Sequence, residues 1–180
     1  MNEAGRTDDA GPAAPERAGL AGLSPSNFAL VMATGIVSLA AHEHGLEIVA
    51  LALFWFNVLA WVLLCCLNVL RMLRYPRLFF GDMVDHLRGP GFFASVAGTA
   101  VLGAQVMILV AGGARIAFAL WVLALALWVV LTYVIFAAFT IKEVKPTLDK
   151  GISGGWLLAV VAAQSLAVLG ALLAAQAPQH

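Results

Sequence analysis

Five runs of this chain continue for most of a helix length with no charged residue in their middle, at about 25–41, 48–70, 90–111, 115–141 and 152–175. No other feature constrains the fold as strongly. A helix rises about 1.5 Å per residue, so about 20 apolar residues cross a hydrocarbon core about 30 Å thick. That medium holds no water for backbone N–H and C=O groups, and a helix satisfies them within itself. The first run is short for a span and extends toward Gly45 at the interface. The acids lie in the N-terminal tail or near loops, among them Glu43, Glu47, Asp82, Asp85, Glu143 and Asp149. Composition agrees: the chain is 62% hydrophobic, 11% charged and has a mean hydropathy of +0.95. A soluble domain carries about 25% charged residues. The expected fold is an all-α integral membrane protein with five transmembrane helices.

Residues 1–22 are rich in Gly, Ala and Pro, with mixed charge and no apolar period, and read as a disordered cytoplasmic tail. Residues 23–180 read as the membrane domain. The tail is acidic and lacks a compact basic start before the apolar core, so it is not a signal peptide. If the helices alternate, Arg6, Arg17, Arg71, Arg74, Arg77, Arg88, Lys142, Lys145 and Lys150 share one side, and Arg115 alone lies on the other. Basic loops stay in the cytoplasm, which places the N-terminus inside and the C-terminus outside a cell inner (plasma) membrane. The net charge is zero and no basic arm is interleaved with aromatics, so nothing points to nucleic acid. Cys65 and Cys66 are adjacent in an apolar run and diverge by about 100° on a helix. They read as small apolar filler, with no disulfide or metal pair.

The odd-numbered runs repeat one another. PSNFALVMATGIVS from Pro25 aligns with PGFFASVAGTAVLG from Pro90 at a shift of 65 residues, with identities at Pro25/Pro90, Phe28/Phe93, Ala29/Ala94, Val31/Val96 and Thr34/Thr99. A weaker third copy, GWLLAVVAAQS from Gly155, lacks the proline and puts Ala162 at the threonine position. The unit of about 64 residues holds two spans, so the hairpin repeats are parallel. Odd runs are short and rich in small residues, while even runs are bulky and carry Trp55, Trp61, Trp121 and Trp128. This contrast predicts odd helices inside and even helices outside. Five spans leave the fifth without a hairpin partner.

Pro25 and Pro90 stand near helix starts, where the missing N–H has no intrahelical partner anyway. Ser24 is a candidate N-cap. A sharper reading of each proline is a break that bares N–H groups to an anion. Asn27, Val31, Thr34 and Ser38 share one helical face, as do Ser95, Thr99 and Gly103, with Gly155, Ala159, Ala162 and Leu166 on the equivalent track. Gln105 and Gln164 add amides elsewhere. Two readings stand side by side. One is close helix packing, with hydroxyls bonding their own backbone. The other is a narrow, uncharged pathway lined by Thr34, Ser38, Ser95, Thr99, Gly103, Ala159 and Ala162. A proton-coupled pump usually needs an intramembrane ionisable residue, and the runs offer none. Helix starts and basic residues on one side draw anions. His42 and His44 form a weak metal motif with Glu43, and His86 reads as an interfacial loop residue. No Ser/His/Asp set, phosphate loop, cysteine cluster or haem-type histidine pair is present, so no enzyme, metal or cofactor is expected.

On the stretches NFALVMATGIVSL, LRYPRLFFGDMVDHLRGPGFFASVAGTAVLGAQ and GGWLLAVVAAQS, the chain resembles the tellurite-resistance/dicarboxylate transporter family, relatives of yeast malate permeases and plant slow anion channels. The resemblance covers most of residues 24–170, is strongest around GPGFF, and corresponds to the family's N-terminal half. It implies ten spans in five parallel hairpins around a central pore, with odd helices inside, usually in a trimer. It implies transport of malate and other C4-dicarboxylates or of small inorganic anions. The family's occluding aromatic lies on a later odd helix, outside the matching stretches. The expected partners are an anionic substrate, the lipid bilayer, and either further copies or a missing C-terminal half. A membrane subunit that does not transport alone is the alternative.

Overall fold

The computed structural model describes residues 19–85, 87–141 and 154–176. The tail up to residue 18, His86 and the loop with Lys142, Lys145 and Lys150 lie outside the described residues. The helices are α1 (Phe28–Glu43), α2 (Glu47–Arg74), α3 (Pro76–Met83), α4 (Phe93–Leu109), α5 (Ala114–Ile141) and α6 (Leu157–Gln176). No strand occurs among the described residues. Gly19–Gly22 form a 3-10 turn, and the carbonyl of Ala21 accepts a hydrogen bond from Arg71.

The local sequence explains each boundary. The α1 helix closes in a Schellman motif, with Leu46 N–H bonded to Ala41 C=O, Gly45 N–H to His42 C=O, and Gly45 at φ +75. Glu47 then opens α2 beside the positive end of its dipole, and Arg71 and Arg74 close it at the negative end. Tyr75 precedes a proline and leaves the helical region, which separates α2 from α3. Each of α1, α4 and α6 is entered through a 3-10 turn, at Pro25–Asn27, Gly89–Phe92 and Gly154–Trp156. These turns touch one another, so the three helices start at one end of the bundle. Pro25 and Pro90 sit in the first positions of their turns, and Ser24 caps the first by accepting from Ser26 N–H. Gly91 packs closely against Ser26 there, and a Cβ would displace Ser26 Oγ.

Four segments are long and apolar enough to cross a membrane: Glu47–Arg74, Gly89–Leu109, Ala114–Ala138 and Gly154–Gln176. The apolar runs predict five. The first run stops short, because the turn at Gly45 ends α1 after 16 residues. Burial singles out one helix. The Gly89–Leu109 span is 78% buried, against 28% for α2 and 17% each for α5 and α6. The α4 helix packs against α1, α5 and α6, and more lightly against α2. Phe93, Val96, Ala97 and Ala100 build the main core with Ala117, Ala124, Ala162 and Leu169. Of the runs expected inside, the third (α4) is the buried one, whereas the fifth (α6) is as exposed as α5.

Candidate functional site

The small and hydroxyl residues singled out in the sequence sit mostly between helices. Ser38 is fully buried and its Oγ donates to Ala50 C=O at 2.8 Å, tying α1 to α2. Thr34 is half-buried one turn earlier. Ser95 Oγ donates to Phe92 C=O and Thr99 Oγ1 to Ser95 C=O, both at 2.7 Å, so each hydroxyl proton returns to the α4 backbone. Both side chains line a crevice of about 550 Å³ between α2 and α5. Gly103 faces the other way, where a Cβ would collide with Leu169 and touch Leu120. Ala162 is fully buried in the main core, and Ala159 is half-buried beside it. These residues line several different contacts and do not share one surface.

Sequence reasoning missed three polar features. Asn57 Nδ2 donates to Gln105 Oε1 at 2.6 Å, and both residues are fully buried. Gly35 makes room for the pair: a Cβ there would stand 3.0 Å from Asn57 Nδ2 and 3.2 Å from Gln105 Oε1. The second feature is a pair of indole clasps. Trp61 Nε1 donates to Thr99 Oγ1 at 2.9 Å, joining α2 to α4, and Trp121 Nε1 donates to Leu166 C=O at 3.1 Å, joining α5 to α6. The half-buried tryptophans anchor α2 to α4 and α5 to α6, where the sequence indicated only bulk.

The third feature is an ionic clamp at the end where the odd helices start. The Arg71 side chain is fully buried and paired with Asp82, and Arg88 reaches the same carboxylate at 3.1 Å. Burial alone would raise the Asp82 pKa, but the hydrogen bonds and charges of Arg71 and Arg88 hold it below the ordinary carboxylate value. At the opposite end, His42 Nδ1 meets Glu47 at 3.0 Å. No group of three or more metal-ligating side chains occurs among the described residues.

The neighbours of α4 leave one side of it free of these close approaches. Gly98 and Gln105 face α1 and α2, Thr99 faces α2, and Gly103 faces α5 and α6. At about 100° per residue, Ala97, Ala104 and Ile108 lie about 140–180° around the helix from Thr99. Val101 borders them and touches Gly35 of α1. Ala97 is 0% and Ala104 6% exposed, whereas Ile108 is 38% exposed. This stripe carries no hydroxyl or charge, and it runs between α1 and α6.

These helices define a polytopic α-helical membrane protein, packed around one apolar helix with an ionic clamp at one end. The sequence model of the voltage-dependent anion channel family matches residues 22–180, and the chain belongs to that family. No curated protein and no solved structure matches the chain.

Proposed function

We propose that the chain forms part of an anion pathway along the α4 stripe of Ala97, Val101, Ala104 and Ile108, with α1 and α6 as flanking walls. The near-complete burial of α4 carries this reading. Within the described residues Ala97, Val101 and Ala104 of the stripe are buried and Ile108 is exposed, so the pathway would open at the Ile108 end. The lining offers small apolar side chains and no charge, so it suits a monovalent, weakly hydrated anion such as chloride or nitrate better than a doubly charged C4-dicarboxylate. The starts of α1, α4 and α6 share one end with Arg71, Arg74, Arg77 and Arg88. This concentrates anions at the mouth. The basic residues at that end support a cytoplasmic mouth. The Pro25–Asn27 turn and α1 together form the fifth crossing. The hydroxyls of Ser38, Ser95 and Thr99 serve packing, since their protons already have backbone acceptors.

A second reading concerns completeness. Exposure on α6 matches that on α5, although α6 would be a wall of the pathway. This favours a pathway closed by further helices, from other copies or from a partner chain. Flux through reconstituted vesicles tests the main reading. Ala104→Phe should abolish chloride and nitrate flux, while Thr99→Val should leave it within about twofold of the wild-type level, since a loss of about 0.4 kcal/mol in barrier terms is twofold. Equal flux in wild type and Ala104→Phe would remove the stripe from the pathway. No flux from the wild-type chain would favour the subunit reading.

A further inference from the structure

The crevice between α2 and α5 lies on the side of α4 opposite the pathway. Its walls include Trp61 and Val69 of α2, Leu123 and Leu127 of α5, and Phe80 of α3. Its two hydroxyls, on Ser95 and Thr99, donate to backbone carbonyls and leave the lining effectively apolar. From Trp61 to Met72 it follows α2 for 11 residues, or about 16 Å at the helical rise. That length matches one leaflet, about half of a 30 Å hydrocarbon core.

One end of this leaflet-deep crevice is lined by Phe79, Phe80 and Met83 of α3. There Tyr75 and Phe80 are exposed beside Arg77, the pattern of a helix lying in the membrane interface. Charge at that end is unbalanced, with four arginines (Arg71, Arg74, Arg77 and Arg88) against Asp82 and Asp85. Arg77 is exposed one turn before Phe80, and the Arg88 side chain is 43% exposed. The guanidinium of Arg71 stands 6.0 Å from the ring of Phe79, itself part of the crevice wall. Its Nε and one terminal nitrogen are buried with no acceptor among the described residues.

We propose that the crevice binds an anionic phospholipid, with one acyl chain lying between α2 and α5 and the phosphate against Arg77 and Arg88. The apolar lining excludes a polar solute, the leaflet-deep length fits an acyl chain, and the arginine rim selects a negative headgroup. The proposal is independent of the pathway, which uses the other side of α4.

Native mass spectrometry of the full chain, released from mixed phosphatidylglycerol and phosphatidylcholine vesicles, tests it, with glycerol phosphate as the free-phosphate control. Phosphatidylglycerol should be retained preferentially, glycerol phosphate should not compete, and Arg77→Gln should cut the preference about fivefold, the equivalent of about 1 kcal/mol per surface arginine. Leu127→Trp should fill the crevice and reduce retention of both lipids. Equal retention of the two lipids by the wild-type chain would overturn the headgroup assignment. Undiminished retention in Leu127→Trp, or a cross-link from position 127 to a second copy, would overturn the crevice as a lipid site. Circular dichroism of both variants checks that they are folded.

Discussion

Asn57 and Gln105 show what one polar residue does in an apolar helix. Each amide would cost several kcal/mol if left bare in the membrane interior, and together they satisfy one another across α2 and α4. Asn57 Oδ1 and Gln105 Nε2 still lack partners among the described residues, so the pair gains less than a full set of bonds. Asn57→Leu should destabilise the protein by about 1–3 kcal/mol, because Gln105 Oε1 then stays buried without a donor. Adding Gln105→Met should recover much of that loss, since both polar groups are then gone. Denaturant unfolding in micelles measures both, and a double variant no more stable than Asn57→Leu alone would show that the pair is uncoupled. The sequence offered Gln105 as an isolated amide and did not flag Asn57. A single polar residue in an apolar run has no period, and its partner lies 48 residues away.

Elements are held to one another by a few directed contacts set in apolar packing. The Arg71–Asp82–Arg88 clamp fixes α3 against the end of α2. Asp82 has its pKa lowered from 3.8 in the folded chain. The folded state therefore holds its ionised form more tightly than the unfolded state does. The resulting stability is present above pH about 3.8 and is lost as pH falls through the lower folded value. Thermal unfolding followed between pH 7 and pH 3 should show this acid-side loss in the wild type. Asp82→Asn should remove that part of the pH dependence and lower stability across the range, because Arg71 loses a buried counter-charge. An unchanged acid limb in Asp82→Asn would assign the loss to other carboxylates. The indole clasp is also testable: Trp61→Phe replaces the indole with a smaller phenyl ring and removes the donor to Thr99, and should cost at least about 1 kcal/mol in the same unfolding assay. The helix boundaries were largely legible, because apolar length, Gly45, Glu47 and Pro76 act locally. The clamp was not, since Arg71, Asp82 and Arg88 read equally well as loop charges sorted by topology.

Over the whole molecule, the two sides of α4 meet different surroundings. One meets the crevice between α2 and α5, and the other runs between α1 and α6. Ile108 is the exposed end of the second side. With Cys65 and Cys66 replaced by alanine, Ile108→Cys should react with a water-soluble thiol reagent in vesicles, and the reaction should block anion flux. A matched Thr99→Cys should react slowly, because its site opens toward lipid. Equal labelling of the two positions would remove the distinction between the faces. The repeat of Pro25, Phe28 and Thr34 at Pro90, Phe93 and Thr99 was visible in the chain. That Thr99 faces Trp61 was not, because periodicity assigns residues to a common face without saying which neighbour that face meets.

The sequence by itself determined the membrane class, the approximate helix runs, the proline-led starts of α1 and α4, and the family. Those follow from apolar length, charge exclusion and local turn chemistry, which act over a few residues. The tertiary structure alone decided that α4 is the buried helix, that the Ser95 and Thr99 side chains turn to a crevice, and that Asn57, Gln105, Arg71 and Asp82 find partners. In an apolar medium every helix face looks alike along the chain. Close approach at glycine and the need to pair each buried polar group choose between those faces only when the helices meet.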